Sequence, residues 1–473
     1  MRHLPTYIEP IKSEDLKSLC DELKLSSAVP QEYFDRFEVK RGLRNRDGSG
    51  VMAGLTKVCS VEGYYIEDGE RKPVEGKLKY RGMDINSIVD ACVEEDRFGY
   101  EEVVWLLLFG SLPTRNQLKL FNDVLSECRE LPEDFIEDMI MKAPSPNIMN
   151  KLERSVLSLY SYDSNPDDIS IENVLRQSIQ LIAQLPMIMT YAYQVKRRHY
   201  LKKSMYIHPI KAGLTTAETV LYNTRSDRKF TDSEAKLLDL CLMLHAEHGG
   251  GNNSAFATRV LSSSGTDTYS AISAGIGALK GPRHGGANLK VAEMMKYLKE
   301  EVSDITDEGQ VADFLKRVIN RETGDRTGLV YGMGHAVYTL SDPRQVILKR
   351  EAGKIAEEKG FGAEFKALDL IEKLTPEIFA SEKNNNKKIC ANVDMYSGLI
   401  YEMLGIPMDL YTPLFAVARV AGWSAHRIEE LITGNRVIRP AYKNVAVPKE
   451  YIPIDERVSN FKRQTRYIPL DER

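Results

Sequence analysis

Apolar residues recur along most of the chain with the spacing of amphipathic helices. This pattern predicts helices over 99–110, 114–130, 149–160, 173–196, 232–247, 267–279, 287–301, 308–320, 343–359, 363–374, 394–404 and 413–433. Strand-like alternation is confined to roughly 50–82, where two short runs flank a turn rich in glycine and charge. That arrangement predicts one small β-hairpin near the N-terminus. The sequence therefore predicts a mainly α protein rather than an array of alternating strands and helices.

Residues typical of a helix start and of a helix end occur in the last third of the chain. Asp342 followed by Pro343 is typical of a helix N-cap, and Gly434 after a long apolar run is typical of a helix stop. The tail contains a near-duplicate of one motif, at 451–457 and 467–473. Proline disfavours helix there, so we expect an extended arm that lies on the surface or on a second subunit.

Composition narrows the class of protein. A chain of 473 residues is long enough for two or three domains, and its 64 basic and 68 acidic residues leave a net charge of −4, which gives no electrostatic case for nucleic-acid binding. The longest apolar run, 103–109, is far shorter than the ~20 residues of a membrane helix. The N-terminus resembles neither a secretion signal nor a transit peptide, and the six cysteines are scattered. We therefore expect a cytoplasmic protein with reduced cysteines and no membrane segment.

Histidines next to glycines are the first candidates for chemistry. His248 precedes three glycines, His284 stands in Gly-Pro-Arg-His-Gly-Gly, and His335 follows Gly332 and Gly334. Glycine beside a histidine lets backbone and ligand approach the ring closely. The glycines after His284 open the helix at 287–301, so we expect the positive helix end to keep this imidazole neutral, as a donor to an oxyanion.

A metal site is the competing explanation for this cluster. His245 and His248 are three residues apart and can share a helix face, which is compatible with metal ligation. The sequence has no His-Glu-x-x-His motif and no cysteine cluster. We therefore predict no metal, and keep a metal-dependent hydrolase built on His245, His248 and His284 as an alternative of a different class.

Charged residues in apolar surroundings are the second set of candidates. Arg344 lies in the first turn of a predicted helix, where a guanidinium and free amides suit a carboxylate. Arg419 is the one charge in an apolar helix and needs an anionic partner, which is either a structural carboxylate or a ligand. Asp394 is either an N-cap or, in apolar surroundings, a general base with a raised pKa. The sequence leaves the role of Arg439 open.

Ordered motifs give the chain a family resemblance that covers most of 50–443. It resembles citrate synthases in the motifs around His248, around His284, from Gly334 to Arg344, and from Asn392 to Gly398. The resemblance implies a mainly helical, two-domain fold, with a large domain over 1–285, a small domain over 286–405, and a return to the large domain over 406–473. It also implies a homodimer that condenses acetyl-CoA with oxaloacetate and hydrolyses citryl-CoA, without a cofactor.

The resemblance also implies residue roles. Asp394 is expected to remove a methyl proton, His284 to donate to the enolate oxygen, and His335 to polarise the oxaloacetate ketone. The substrate is expected to contact the remaining residues of the motifs, namely His248, Asn252, Ser254, Arg344, Phe415, Arg419 and, from the partner subunit, Arg439. Ser254 is expected to hold a water near the acetyl group.

The site for CoA is less defined by the resemblance. Thr339 stands where the family often has a basic residue near the CoA phosphates. We therefore expect the CoA contacts among Lys280, Arg283, Gly332 and Gly334. The nearest alternative function is 2-methylcitrate synthase, since propionyl-CoA differs from acetyl-CoA by one methylene, a difference of ~1–3 kcal/mol in a pocket.

Overall fold

The computed structural model of the chain describes residues 29–45, 47–68, 70–384, 388–434, 436–448 and 450–456, together with residues 17, 20 and 23. Its contacts divide the chain into two units, Met1–Val437 and Ile438–Arg473. The described part of the second unit is largely exposed and non-helical apart from a short 3-10 turn, Ile454–Glu456. The first copy of the duplicated tail motif thus contains this turn, and the second copy, 467–473, lies outside the described residues.

The first unit is built from helices and one small sheet. The α-helices are α1 Gln31–Arg36, α2 Ile85–Glu94, α3 Tyr100–Phe109, α4 Arg115–Glu127, α5 Ile148–Leu159, α6 Ile171–His199, α7 Thr216–Thr224, α8 Asp232–His245, α9 Asn253–Ser263, α10 Thr268–Lys280, α11 Ala287–Glu301, α12 Glu308–Ile319, α13 Pro343–Ile355, α14 Gly362–Lys383, α15 Asp394–Met403 and α16 Tyr411–Thr433. The strands are β1 Cys59–Glu67, β2 Glu70–Tyr80 and β3 Met83–Asp84. The prediction of a mainly α protein is confirmed.

The sheet is the hairpin that the alternation predicts, with one short strand added. β1 and β2 pair antiparallel from Cys59↔Tyr80 to Glu67↔Glu70, and β2 pairs with β3. The hairpin packs on the loop that precedes α13. A Cβ at Gly76 would lie 2.2 Å from a carbonyl oxygen of that loop, so only glycine fits there. The hairpin therefore supports the loop that carries His335.

Helix α16 forms the centre of the packing. Every residue from Tyr411 to Ile428 is buried, and the helix contacts α3, α6, α8, α9 and α10. A helix that is buried on all sides must satisfy any charge it carries, and α16 carries Arg419. The domain boundaries at 285 and 405 stay a prediction.

Among the described residues, no helix combines the length and the apolar character that crossing a membrane requires.

Candidate active site

Backbone hydrogen bonds tie the loop before His335 to the loop before Asp394. The amide of Gly334 donates to the Cys390 carbonyl at 2.7 Å, and the amide of Asn392 donates to the Gly332 carbonyl at 2.8 Å. The side-chain amide of Asn392 also donates to the Gly334 carbonyl, at 2.8 Å. Gly332 and Gly334 have φ of 81° and 88°, which explains glycine at both positions. The candidate base and the candidate ketone donor therefore share one rigid junction.

Arg344 joins the same junction through Asp342. The Asp342 carboxylate caps α13 and receives Arg344 Nε at 3.0 Å and Nη2 at 2.7 Å, a bidentate pair. Its Oδ2 also accepts from the Val393 amide at 3.2 Å, next to Asp394. Arg344 is 3% exposed. The predicted cap is confirmed, and its carboxylate also fixes the guanidinium.

His335 is held in one tautomer by its own loop. Its Nδ1 accepts from the amides of Val337 and Tyr338, both at 3.1 Å. Because an amide can only donate, the ring proton lies on Nε2, which remains a free donor. The ring stacks on Tyr338 and contacts His248 edge-to-face at 5.0 Å between centroids. The Tyr338 hydroxyl lies 3.3 Å from His248 Nε2. These three rings connect two predicted site segments.

His284 is held in the opposite tautomer. The Ser254 amide donates to His284 Nε2 at 3.3 Å, and the Ser254 hydroxyl lies 3.0 Å from the same nitrogen. The ring proton therefore lies on Nδ1. Ser254 also accepts from Trp423 Nε1 at 3.1 Å and is fully buried. Asn252 caps α9, and its Oδ1 accepts a hydrogen bond from the Ser254 hydroxyl at 2.9 Å. Ser254 thus orients His284, while the water it is expected to hold stays a prediction.

Arg419 is held at one side and open at the other. Its Nε donates to the His245 carbonyl at 2.6 Å, and its guanidinium lies 4.7 Å from the Phe415 ring centroid. The residue is 1% exposed, and Nη2 is buried without a hydrogen-bond partner among the described residues. A buried donor without a partner costs about 1–3 kcal/mol, more when charged. Of the two partners that the sequence leaves open, this geometry favours a ligand carboxylate.

Asp394 is the first residue of α15 and makes no capping hydrogen bond. Its pKa is raised to about 6, because burial, helped by the charge of Asp342, outweighs the lowering by Arg344 and Arg419. Its Oδ1 is buried and has no hydrogen-bond partner among the residues that the structure describes. The N-cap alternative is therefore wrong, and a general base with a raised pKa fits this carboxyl.

The three histidines are neutral at physiological pH. Burial lowers the pKa of His284 to about 4, and the charge of Arg419 adds to this effect. Burial, followed by Arg344, lowers the pKa of His335 to about 4 and that of His248 well below its usual value. The prediction of a neutral His284 agrees with this direction, but burial rather than the helix end is the leading cause. Neutral imidazoles donate hydrogen bonds without bringing a charge.

Three predicted residues are exposed, and no hydrogen bond or ion pair in the described part of the chain joins their side chains to the site residues. Arg439 belongs to the second unit, Lys280 is the last residue of α10, and Arg283 directly precedes His284. None of the predicted site residues lines a cavity of about 360 Å³ between α2, α8 and α13. Its polar lining residues are largely paired with one another, as in the Lys359–Glu234 ion pair. This cavity therefore has no part in the chemistry described here.

Metal ligation finds no support among the described residues, where no group of three His, Cys, Asp or Glu side chains has the geometry for an ion. His245, the proposed first ligand, is fully buried, and its ring contacts Phe415 at 4.4 Å between centroids. It supplies a carbonyl to Arg419 instead.

Sequence reasoning missed four residues that hold the site together. Asp342 had a visible signal, since a carboxylate two residues before a candidate arginine can pair with it. Tyr338 and Asn392 lie inside the motifs that carry the family resemblance, but the sequence did not show which groups they contact. Trp423 gave no signal, because its donor reaches Ser254 across the fold.

Known proteins resemble this chain in sequence and in structure. The family model described as "Citrate synthase, C-terminal domain" matches residues 47–441. The citrate synthase of Haloferax volcanii is 33% identical over 426 residues, covering 89% of this chain and 99% of that protein. The 2-methylcitrate synthase 1 of Corynebacterium glutamicum is 32% identical over 426 residues, with the same coverage. A solved structure of Thermoplasma acidophilum citrate synthase with carboxymethyl coenzyme A and oxaloacetate matches with a TM-score of 0.70 at 25% identity, covering 89% of this chain and 99% of that one.

The chain belongs to the citrate synthase family. The predicted family and fold are confirmed.

Proposed function

We propose that the protein is a citrate synthase, an acyltransferase that condenses acetyl-CoA with oxaloacetate to give citrate and CoA. One observation carries the proposal. Asp394 is a buried carboxylate whose Oδ1 has no partner in the part of the chain that the structure describes, and its pKa responds to the charges of both Arg344 and Arg419. A base, two neutral donors and two carboxylate receptors are what an aldol-type condensation with a dicarboxylate requires.

The reaction begins with proton removal from carbon. The ionised Asp394 takes a methyl proton of the thioester, and the electron pair moves onto the thioester oxygen. His284 Nδ1–H donates to that oxygen, which stabilises the enolate where it forms. Losing one such fixed donor costs ~10²–10³ in rate.

Carbon–carbon bond formation follows. The enolate carbon attacks the oxaloacetate ketone, whose oxygen accepts a hydrogen bond from His335 Nε2–H as it becomes an alkoxide. The alkoxide then takes up one proton, which balances the proton that Asp394 removed from the methyl group, and gives the hydroxyl of citryl-CoA. Arg344, Arg419 and His248 hold the oxaloacetate carboxylates, with Phe415 beside them. Water then hydrolyses citryl-CoA, releasing citrate and the CoA thiol. No cofactor is required, because acetyl-CoA is a substrate.

The acyl preference separates two members of the family. We place acetyl-CoA first, as in the Haloferax volcanii relative, and propionyl-CoA second, as in the Corynebacterium glutamicum 2-methylcitrate synthase. Oxaloacetate-dependent thiol release with each acyl-CoA decides the question. A higher kcat/KM for propionyl-CoA overturns the first choice, and no thiol release with either overturns the proposal.

The assembly and location are further proposals. We infer a cytoplasmic homodimer in which Arg439 of each chain reaches the site of the partner, and CoA contacts at Lys280, Arg283, Gly332 and Gly334. All six cysteines are free, which suits a reducing compartment. Light scattering measures whether the protein is a dimer. Arg439→Gln is expected to raise the KM for oxaloacetate and to leave the dimer intact. An unchanged KM contradicts the role of Arg439.

A further inference from the structure

Charged and polar side chains lie in a row along one face of α16, behind the proposed oxaloacetate receptors. This face contains four positions at helical spacing, namely Arg419, Gly422, His426 and Glu430. Glu247, from the loop after α8, and Arg259, from α9, fill the positions between them. We call Glu247, His426 and Arg259 the α16 charge row.

Glu247 is fixed against α16 by its contact with His426. Its Oε1 lies 2.9 Å from His426 Nε2, and both side chains are fully buried. Its Oε2 lies where a Cβ on Gly422 would stand, 2.0 Å away, and has no partner among the described residues. The carboxylate therefore occupies the gap that Gly422 leaves between Arg419 and His426.

The direction of each hydrogen bond fixes the charges of the row. His426 Nδ1 lies 3.2 Å from Arg259 Nε and 2.7 Å from Arg259 Nη2. Because a guanidinium only donates, Nδ1 carries no proton, so His426 is neutral and donates Nε2–H to Glu247. The Glu247 pKa is lowered in spite of burial, and with a neutral His426 the main causes that remain are the hydrogen bond from His426 and the charge of Arg419. The row is therefore anion, neutral imidazole, cation.

Glu247 acts on Arg419 through charge alone. Arg419 takes its position from the His245 carbonyl, and no carboxylate in the described part of the chain hydrogen-bonds to it. The charge of Glu247 is nevertheless the strongest influence that opposes the effect of burial on the Arg419 pKa. By contrast, Arg344 touches its carboxylate directly. The His245 carbonyl thus fixes the position of the Arg419 guanidinium, and Glu247 balances part of its charge.

We infer that Glu247 acts on the pocket through the charge of Arg419, and that its buried negative charge limits the affinity of the pocket for anionic substrate and product. Without this charge, two arginines would hold a tricarboxylate too firmly for rapid release. The inference rests on the proposed function, because it takes Arg419 as a receptor for a carboxylate of oxaloacetate and citrate.

The test is calorimetric titration of the full chain with oxaloacetate and with citrate at pH 8. Glu247→Gln keeps the side-chain shape and an acceptor for His426, and removes the charge. We expect about tenfold tighter binding of oxaloacetate and a larger gain for citrate, which carries one more charge. In turnover, the KM for oxaloacetate falls and kcat also falls, because citrate leaves more slowly.

Two further variants separate charge from shape. Glu247→Asp keeps the charge and is expected to bind both ligands within about twofold of the wild type. Glu234→Gln removes another largely buried glutamate, paired with Arg225 and Lys359 away from the site, and leaves both affinities unchanged. If Glu247→Gln binds citrate equally or more weakly than the wild type, the inference is wrong.

A second route covers the case in which Glu247→Gln does not fold. His426→Leu leaves the carboxylate in place without its donor, so its proton affinity rises. Oxaloacetate affinity should then increase more steeply than in the wild type between pH 8 and pH 6, and parallel curves contradict the inference. The titratable or charged groups around Glu247 are Cys59, Tyr80, His245, His248, Arg259, Arg419 and His426.

The two levels of the account fail differently. A wild-type chain that binds neither oxaloacetate nor citrate contradicts the proposed function. A wild-type chain that binds oxaloacetate and releases thiol, with no tightening in Glu247→Gln, contradicts only the role of Glu247.

Discussion

The two buried arginines of the site differ in how their charge is balanced. Arg344 is locked to Asp342 by two hydrogen bonds before any ligand arrives. Arg419 has one carbonyl partner, a more distant anion in Glu247, and an unpartnered Nη2. The α13 side thus holds an ion pair before any ligand arrives, whereas the charge on the α16 side is completed only by a ligand. Both arginines are proposed carboxylate receptors, but the contribution to stability is concentrated in the α13 half.

The histidines follow the same division. Arg344 lowers the pKa of His335, and Arg419 lowers that of His284. Asp394 responds to both arginines. The base therefore stands between a rigid half that presents the ketone donor and a receptive half that presents the enolate donor.

The largest expected effect is on the receptive half. Arg419→Met removes the receptor and keeps most of the packing, so we expect kcat/KM for oxaloacetate to fall by about 10²–10⁴, the value of two charge-assisted hydrogen bonds. Thermal unfolding should change less than in a variant of Arg344, because Arg419 gives up one hydrogen bond to a carbonyl and no hydrogen-bonded ion pair. Steady-state kinetics and calorimetry measure both. If Arg419→Met lowers thermal stability strongly and leaves the affinity for oxaloacetate unchanged, the proposed difference between the two arginines is wrong.

The matching change in the rigid half affects stability. Arg344→Met leaves the fully buried Asp342 without its cation, so the free energy of unfolding should fall by about 3–5 kcal/mol. Adding Asp342→Asn should recover much of that loss, as measured by denaturant titration. If the single variant is as stable as the wild type, the ion pair does not stabilise this half.

Asp394→Asn should make the fold more stable. The folded chain holds the Asp394 proton more tightly than the unfolded chain, since the pKa rises from 3.8 to about 6. Wild-type stability therefore declines as pH rises from about 4 to about 6. Asparagine does not ionise, so the variant should exceed the wild type by roughly 3 kcal/mol at pH 8 and not at all below pH 4. Equal stability at pH 8 contradicts the raised pKa.

The smallest effect concerns the orientation of His284. Ser254→Ala removes the hydroxyl 3.0 Å from Nε2 and keeps the backbone amide that fixes the tautomer. We expect kcat to fall about fivefold to tenfold, the value of one hydrogen bond in the network of Asn252, Ser254 and Trp423 that supports the ring, with the KM for oxaloacetate unchanged. An effect on KM instead of kcat would assign Ser254 to substrate binding.

The sequence predicted the long helices because their apolar faces are regular, and α16 ends where Gly434 indicates. It missed α1 and α2, which precede the first predicted helix, and α9, whose small residues give no clear period. It also missed α7, although Thr215 and Glu218 form a capping box. It ended α14 too early because it stopped before Pro376, which the helix passes through.

The site residues came from local motifs, and their states came from contacts across the fold. The glycines beside His284 and His335 were visible in the sequence. The tautomers of the two histidines were not, because they depend on Ser254 and on the loop at 337–338. The buried position of Arg419 was predictable from its apolar neighbours. Its balance by Glu247 was not, because that pairing joins a loop to α16 without a hydrogen bond between the two side chains.

The most direct test of the account is oxaloacetate-dependent release of CoA thiol from acetyl-CoA by the wild type and by Asp394→Asn at pH 8. The account predicts release by the wild type that fails below about pH 6, as Asp394 takes up a proton. It predicts no oxaloacetate-dependent release above background by a folded variant. Wild-type turnover in Asp394→Asn would contradict the assignment of this carboxylate as the base.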